Sequence, residues 1–274
     1  MIDNFKWTKR MLWNACEEQT KIGLGNGDLL PLTCDDIIYQ QQGVNYIVNL
    51  VTDNMKIKHS PAVSAQDPFI APYTHCDYIT DMDAEYVCLL NRFPIVVPHL
   101  LVCAKDYIPQ TSVLTLADFT AWVKGITRSD VLGFFNSGRI AGSSQMHRHM
   151  QLVRTPIPLE SLIINSQLPF KHAVFRYSGL DPQQLYYDYL HALESLQLNT
   201  TKLVNGLNEC LPYNILLTER WMLIIPRVKN QVETLSGHGV NFSGRFLVNS
   251  EQQLEWLERY GFMQFLIDCG FKQK

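Results

Sequence analysis

The chain has 274 residues, 46% of them hydrophobic and 18% charged, enough apolar content for one sizeable buried core and too much for a disordered chain. Its net charge is −3 with the two signs interspersed, and no basic arm or stripe is present, which excludes the electrostatics of a nucleic-acid-binding protein. No run is apolar and long enough to span a membrane, and the first twenty residues lack the apolar stretch of a secretory signal, so neither a membrane nor a secreted role is expected.

Residues 5 to 22 have Phe5, Met11, Leu12 and Cys16 roughly on one helical face and are expected to form a helix. NYIVNLVT, 45 to 52, is rich in β-branched residues and reads as a strand. SAQDPFIAPY, 64 to 73, carries two prolines and reads as a loop. EYVCLLNRF, 85 to 93, and HLLVCAK, 99 to 105, are strand-like runs joined by a turn with Pro94 and Pro98. Cys88 and Cys103 lie inside these runs as core thiols. The seven cysteines are an odd set without C-x-x-C spacing, which fits a reducing cytoplasm and no disulfide framework.

Residues 115 to 126 are expected to form a helix capped by Thr115, with Asp118 in its first turn. VLGFFN, 131 to 136, and HRHMQLV, 147 to 153, read as strands flanking a glycine-bearing turn. Residues 181 to 196 form a helix signalled by an aspartate cap and a first-turn proline. YNILLT and WMLIIP, 213 to 218 and 221 to 226, are separated by two residues and read as a hairpin. A glycine-rich stretch then leads to a helical end from about 250. Strands in neighbouring pairs without β-α-β alternation imply an α+β fold with a mainly antiparallel sheet and flanking helices. One domain, 1–274, is expected, with a composition dip near 155 to 180 setting off a C-terminal subregion of about 181–274.

On a strand, His147, His149 and Gln151 share one face, because alternate residues point the same way. The turn before them offers Gly138 and Gly142 for close backbone approach and Ser143, Ser144 and Gln145 as neutral donors, a chemistry suited to a phosphate. Three readings of the pair stand open on these residues alone: structural histidines, a metal site, or a nucleophilic imidazole with its supports. The metal reading lacks a third ligand, and no metal site is expected.

The combination N-S-G-x-x-A-x-S-S-Q-x-H-x-H-x-Q resembles the signature of the histidine-triad-like nucleotidyltransferases, in the diadenosine tetraphosphate phosphorylase (ATP adenylyltransferase) branch. LLNRFPIVVPHLLVCAKDYIPQ, 89 to 110, and YNILLTERWMLIIPR, 213 to 227, are similar to further blocks of that family. The resemblance implies a histidine-triad-like fold. It implies a reversible attack by His149 on an α-phosphorus, with expulsion of ATP and capture of the adenylyl group by phosphate to give ADP. His147 would buttress the site, and Gln151 would hold the transferred phosphate. Asn136, Gly142, Ser143, Ser144 and Gln145 would form the phosphate loop, Asn91 and Arg92 the nucleotide contact, and Lys56, or Lys58, the N-terminal phosphate lysine.

His99 falls where the family has a histidine, although taken alone it reads as a core residue. The stretch 237 to 249 departs from the family pattern at His238, Arg245 and Asn249, which are expected near the distal phosphates or second nucleoside. A divalent cation, magnesium, is expected to arrive with the substrate, and the resemblance favours a monomer. Alternatives from the same residues are transfer on another nucleotide or nucleotide-sugar, hydrolysis, and a catalytically silent nucleotide-binding protein.

Overall fold

Apolar runs four to six residues long, joined by short turns, pair with their chain neighbours as antiparallel strands. The computed structural model describes residues 9–33, 35–58, 67–74 and 77–273. The first helix is described as Lys9–Asn26, so the start of the expected 5 to 22 segment lies outside the described residues. So do residues 64 to 66 of the expected loop, with Cys34 and Cys76. The hairpin β1 (Ile37–Gln41) and β2 (Val44–Leu50) leads to a short helix, Asn54–Lys58. Then come β3 (Tyr78–Asp81), β4 (Tyr86–Leu90), β5 (His99–Ala104), the helix Leu116–Val123, β6 (Val131–Asn136) and β7 (His149–Arg154). A short helix, Glu160–Ile164, precedes β8 (Ala173–Arg176) and the helix Pro182–Ser195. The rest comprises β9 (Asn199–Val204), β10 (Leu207–Cys210), β11 (Tyr213–Leu217), β12 (Trp221–Pro226), β13 (Gln231–Val232), β14 (Leu235–Ser236), β15 (Arg245–Val248) and the helices Glu251–Tyr260 and Phe262–Cys269.

Eight strands build one antiparallel sheet in the order β3-β4-β5-β7-β6-β11-β12-β8. The expected α+β architecture is therefore the one observed. A small sheet beside it, β1-β2-β15, contains a parallel pair, β2 with β15. β11 pairs with β6, so residues beyond 181 share a sheet with the N-terminal strands. The helix Leu116–Val123 starts with a reciprocal cap between Thr115 and Asp118, as its sequence implies. Asp181 caps the helix Pro182–Ser195, with its proline in the first turn.

β4, β5, β6, β11 and β12 are buried at every position. Both sheet faces are covered, which is why these strands read as unbroken apolar runs. One face packs Leu100, Val102, Met150, Leu152 and Ile215 against Trp122, Leu185 and Tyr189 of the flanking helices. The other face carries two separate apolar patches. Phe134, Val153, Leu216 and Leu223 pack with Phe246, Phe262 and Phe265. Val87, Leu89, Leu101 and Cys103 pack under Phe69. Buried polar residues occupy strands between these patches: His99, His149, Gln151, Asn136 and Asn214.

Candidate active site

Register brings those residues together. His149 lies opposite Cys103 of β5, and Gln151 lies between Leu101 of β5 and Phe134 of β6. Carried on by two residues, the β6–β7 register sets Asn136 opposite His149, and Asn136 pairs in turn with Asn214 of β11.

The His149 ring is held in one tautomer. Its Nδ1–H donates to the carbonyl oxygen of His147 at 2.8 Å, so the lone pair of the neutral ring resides on Nε2. Burial lowers the imidazole to about 4, which keeps it neutral at physiological pH. The Phe69 ring lies 5.0 Å away, centroid to centroid. Behind the strand, Gln110 accepts the His149 backbone N–H at 2.9 Å and donates to the carbonyl oxygens of His149 and Asn136. An unprotonated, desolvated and clamped nitrogen is what nucleophilic attack on phosphorus requires.

Gln151 is oriented by a chain of bonds that starts at the backbone. Phe93 N–H donates to Asn91 Oδ1 at 2.9 Å, which turns Asn91 Nδ2 toward His99 Nδ1, 3.3 Å away. The Ile95 N–H points at the same nitrogen from 3.4 Å. Nδ1 therefore accepts, and the proton of the neutral ring is on Nε2, which donates to Gln151 Oε1 at 3.0 Å. Gln151 Nε2 is left as a donor with no partner among the described residues. His99 thus belongs to the site, and Asn91 reaches it through His99. Replacing His99 by leucine is expected to lower turnover roughly ten- to hundredfold by freeing the glutamine amide to rotate. Steady-state kinetics check this, and an unchanged kcat in a folded variant would contradict it.

The turn from 138 to 142 contains Gly142 at φ +95, where an added Cβ would meet Gly237 O and His238 Nδ1 at 2.8 Å. The N–H groups of Gly142 and Ser143 are used inside the turn, bonding Arg139 O and Gly138 O. The Ser143 hydroxyl donates to Gln145 O at 2.6 Å. The bonds of the turn leave the N–H groups of Ser144 and Gln145, with both their side chains, without a partner among the described residues. The donor set is thus narrower than the sequence suggests.

His147 is anchored at both ring nitrogens, to Asp67 Oδ2 at 2.8 Å and Asp106 O at 3.0 Å. Its carbonyl is the acceptor that fixes His149. Asp67 and Gln110 carry no signal that ties them to the histidines in the sequence. Arg148, between the histidines, points to the opposite face and pairs with Asp118 at 2.6 Å in the core.

The two candidate N-terminal lysines differ in their surroundings. Lys56 is exposed and paired with Asp53 at 2.7 Å. Lys58, two positions on and so on another side of the helix, is half-buried. Burial lowers its ammonium below the usual lysine range, and its charge lowers both His99 and His238. It has no ion-pair or hydrogen-bond partner among the described residues. Arg92 is exposed over the Phe93 ring, 5.7 Å from its centroid. The stretch 237 to 249 also divides. His238 joins the site, donating from Nδ1 to Gly142 O at 3.0 Å. Arg245 is buried and gripped by Asp36 at 2.6 and 2.9 Å and by Thr155, so it braces the small sheet. Asn249 is exposed next to the final helices.

Three site histidines share a burial-driven depression, to about 4 for His149 and His238 and about 3 for His99, from 6.5. Below pH 6.5 the unfolded chain takes up protons that the folded site refuses. Stability is therefore full above that pH and is lost as pH falls toward 4. Thermal midpoints are expected to hold near neutrality and to fall between pH 6.5 and 4, with a flat profile contradicting this.

Residues 3–175 match the family model described as Ap4A phosphorylase N-terminal domain, and residues 166–272 match the ATP adenylyltransferase C-terminal domain. Diadenosine 5',5'''-P1,P4-tetraphosphate phosphorylase 2 of Saccharomyces cerevisiae is 28% identical over 249 residues, covering 76% of this chain and 77% of its own. Protein APA1 of the same yeast is 24% identical over 248 residues, covering 75% and 76%. The crystal structure of yeast Ap4A phosphorylase Apa2 superposes with a TM-score of 0.79 at 23% identity, covering 96% of this chain and 98% of that one, and so shares the fold.

Proposed function

The chain belongs to the Ap4A phosphorylase family, and from that premise we propose that it cleaves diadenosine tetraphosphate by phosphorolysis, carrying the adenylyl group on His149 Nε2. The observation that carries this reading is the 2.8 Å bond from His149 Nδ1 to His147 O, which leaves Nε2 free to attack. Support comes also from the yeast relative named as a phosphorylase of this dinucleotide and from structures of yeast Apa2 titled as complexes with Ap4A and with AMP.

In the first step the Nε2 lone pair forms a bond to the α-phosphorus, and the bond from that phosphorus to its bridging oxygen breaks. The oxygen and its electron pair leave with ATP. In the second step an oxyanion of inorganic phosphate attacks the same phosphorus, the P–N bond breaks, and the electron pair returns to Nε2 as ADP departs. Phosphate brings a ready anionic oxygen, whereas water needs a base to remove its proton. Gln151, a donor without acid–base capacity, suits the first acceptor and not the second.

Gln151 Nε2, the Ser144 and Gln145 amides and Asn136 would hold the reacting phosphate oxygens, and Lys58 would meet the negative phosphate chain. No group of three or more His, Cys, Asp or Glu suited to a metal exists among the described residues. A divalent cation, magnesium, is proposed to arrive bound to the substrate phosphates, neutralising their charge. A cytoplasmic location is proposed, with which five described, buried free cysteines are compatible; among the described residues no helix is long and apolar enough to cross a membrane. A monomer is proposed, as the family resemblance favours.

The test is product analysis with diadenosine tetraphosphate and magnesium, with and without phosphate. ATP and ADP formed only with phosphate support the proposal. ATP and AMP formed without phosphate mean hydrolysis, and no turnover means another substrate.

A further inference from the structure

The block YNILLTERWMLIIPR places two buried polar residues beneath the phosphate loop, and catalysis as described so far uses neither. Asn214 is fully buried, and Arg227 is nearly so. Arg227 has no carboxylate partner among the described residues and is satisfied by oxygens of neutral groups. Its Nη1 donates to Asn214 Oδ1 and to Ala141 O, Nη2 to Lys229 O and Gly237 O, and Nε to Cys269 O.

With its oxygen held by Arg227, Asn214 turns its Nδ2 toward the site. That nitrogen donates to Asn136 Oδ1 at 2.8 Å and to Ala141 O at 2.9 Å. The Gly239 N–H donates to the same Asn136 oxygen at 3.0 Å. A Cβ at position 239 would collide with that oxygen, so the close approach requires glycine. Asn136 Oδ1 is thus capped twice from behind, and Asn136 Nδ2 has no partner among the described residues. The polarity of the asparagine is set by the Gly239 N–H and, through Asn214, by Arg227, two hydrogen bonds away.

We infer that Asn214 and Arg227 are positioning residues that fix Asn136 with its amide nitrogen toward the substrate phosphate, so that the site presents donors to the anion at this edge. The inference rests on the proposed adenylyl transfer. It gives the C-terminal block a defined part in the reaction. Arg227 reaches both Ala141 O in the phosphate loop and Gly237 O beside it, so one buried cation holds the loop and the amide together.

Asn214→Asp tests it. The aspartate keeps an acceptor for Arg227 and gains a buried ion pair, but it cannot donate to Asn136 Oδ1 or Ala141 O. Asn136 Oδ1 then faces a carboxylate with only the Gly239 N–H to hold it, and the amide loses its fixed orientation toward the phosphate. Binding of AMP and of adenosine to the intact protein is measured by calorimetry, with thermal melting alongside. The inference expects AMP affinity to fall roughly tenfold or more while adenosine affinity holds in a protein that still folds, with a lower melting midpoint because Ala141 O loses its donor. AMP and adenosine weakening together would mean a purely structural role and overturn it, as would unchanged AMP binding. Wild-type protein binding AMP no more tightly than adenosine would overturn the parent reading, and the inference with it. If the aspartate variant does not fold, Arg227→Lys replaces it. Lysine keeps the charge but cannot reach Asn214, Ala141 and Gly237 at once, so the same selective loss of AMP is expected.

Discussion

Phosphorolysis of diadenosine tetraphosphate by a His149→Ala variant is expected to be slower by roughly 10⁴-fold or more. No neighbouring group can take over. Both ring nitrogens of His147 are engaged, by Asp67 and by Asp106 O. His99 presents a proton, not a lone pair, to Gln151. The alanine loses the nucleophile while the backbone clamp from Gln110 remains, so the fold should persist and nucleotide binding should survive the loss of turnover. Single-turnover assays with binding measured in parallel check this, and a variant with turnover within tenfold of wild type would remove His149 from the chemistry.

Gln151→Glu should show the second largest effect, a fall in kcat of roughly 10²- to 10³-fold. The substitution is nearly isosteric. One carboxylate oxygen can still accept from His99 Nε2, as Gln151 Oε1 does at 3.0 Å. The other replaces a neutral donor by an anion facing the phosphate. Expected with it is a sharp loss of affinity for nucleotides but not for adenosine. A glutamate variant with unimpaired turnover would mean that the Gln151 amide does not touch the transferred group.

Much of this site was legible in sequence because its core is local. His147, His149 and Gln151 sit within five residues on one strand, and alternation alone aligns them. The Thr115–Asp118 cap and the 213 to 226 hairpin also depend on near neighbours. What stayed hidden is what pairing brings from afar. Asp67 meets His147 across 80 residues, and Arg245 meets Asp36 across 209. Without that partner, Arg245 reads only as a departure from the family pattern near the distal phosphates or second nucleoside. Lys56 and Lys58 differ only in the side of one short helix they occupy, and sequence carries no register for five residues in isolation. The hairpin of β9 and β10 was missed although Asn205 and Gly206 both adopt positive φ, as its turn requires. Its strands are polar and largely exposed, so they lack the apolar alternation that reveals a strand.

The polarity of the amides was the least legible property. Nothing in the letters N or Q says which end faces a ligand. In the structure both Gln151 and Asn136 have their oxygens capped from behind, by His99 in one case and by Asn214 and Gly239 in the other. Each cap is itself oriented, by Asn91 and Arg227 respectively. The site is built from strands fixed on both faces, and donors held this way require little reorganisation when charge develops on the transferred phosphate.

The proposed reaction stands or falls with a covalent adenylyl group on His149. The measurement that tests it most directly is intact-protein and peptide mass spectrometry after brief incubation with diadenosine tetraphosphate and magnesium in the absence of phosphate. One added adenylyl group is expected, located on His149, that disappears as ADP when phosphate is supplied. Phosphorolysis proceeding at full rate with no adduct detectable at any time, or an adduct on another residue, would contradict it.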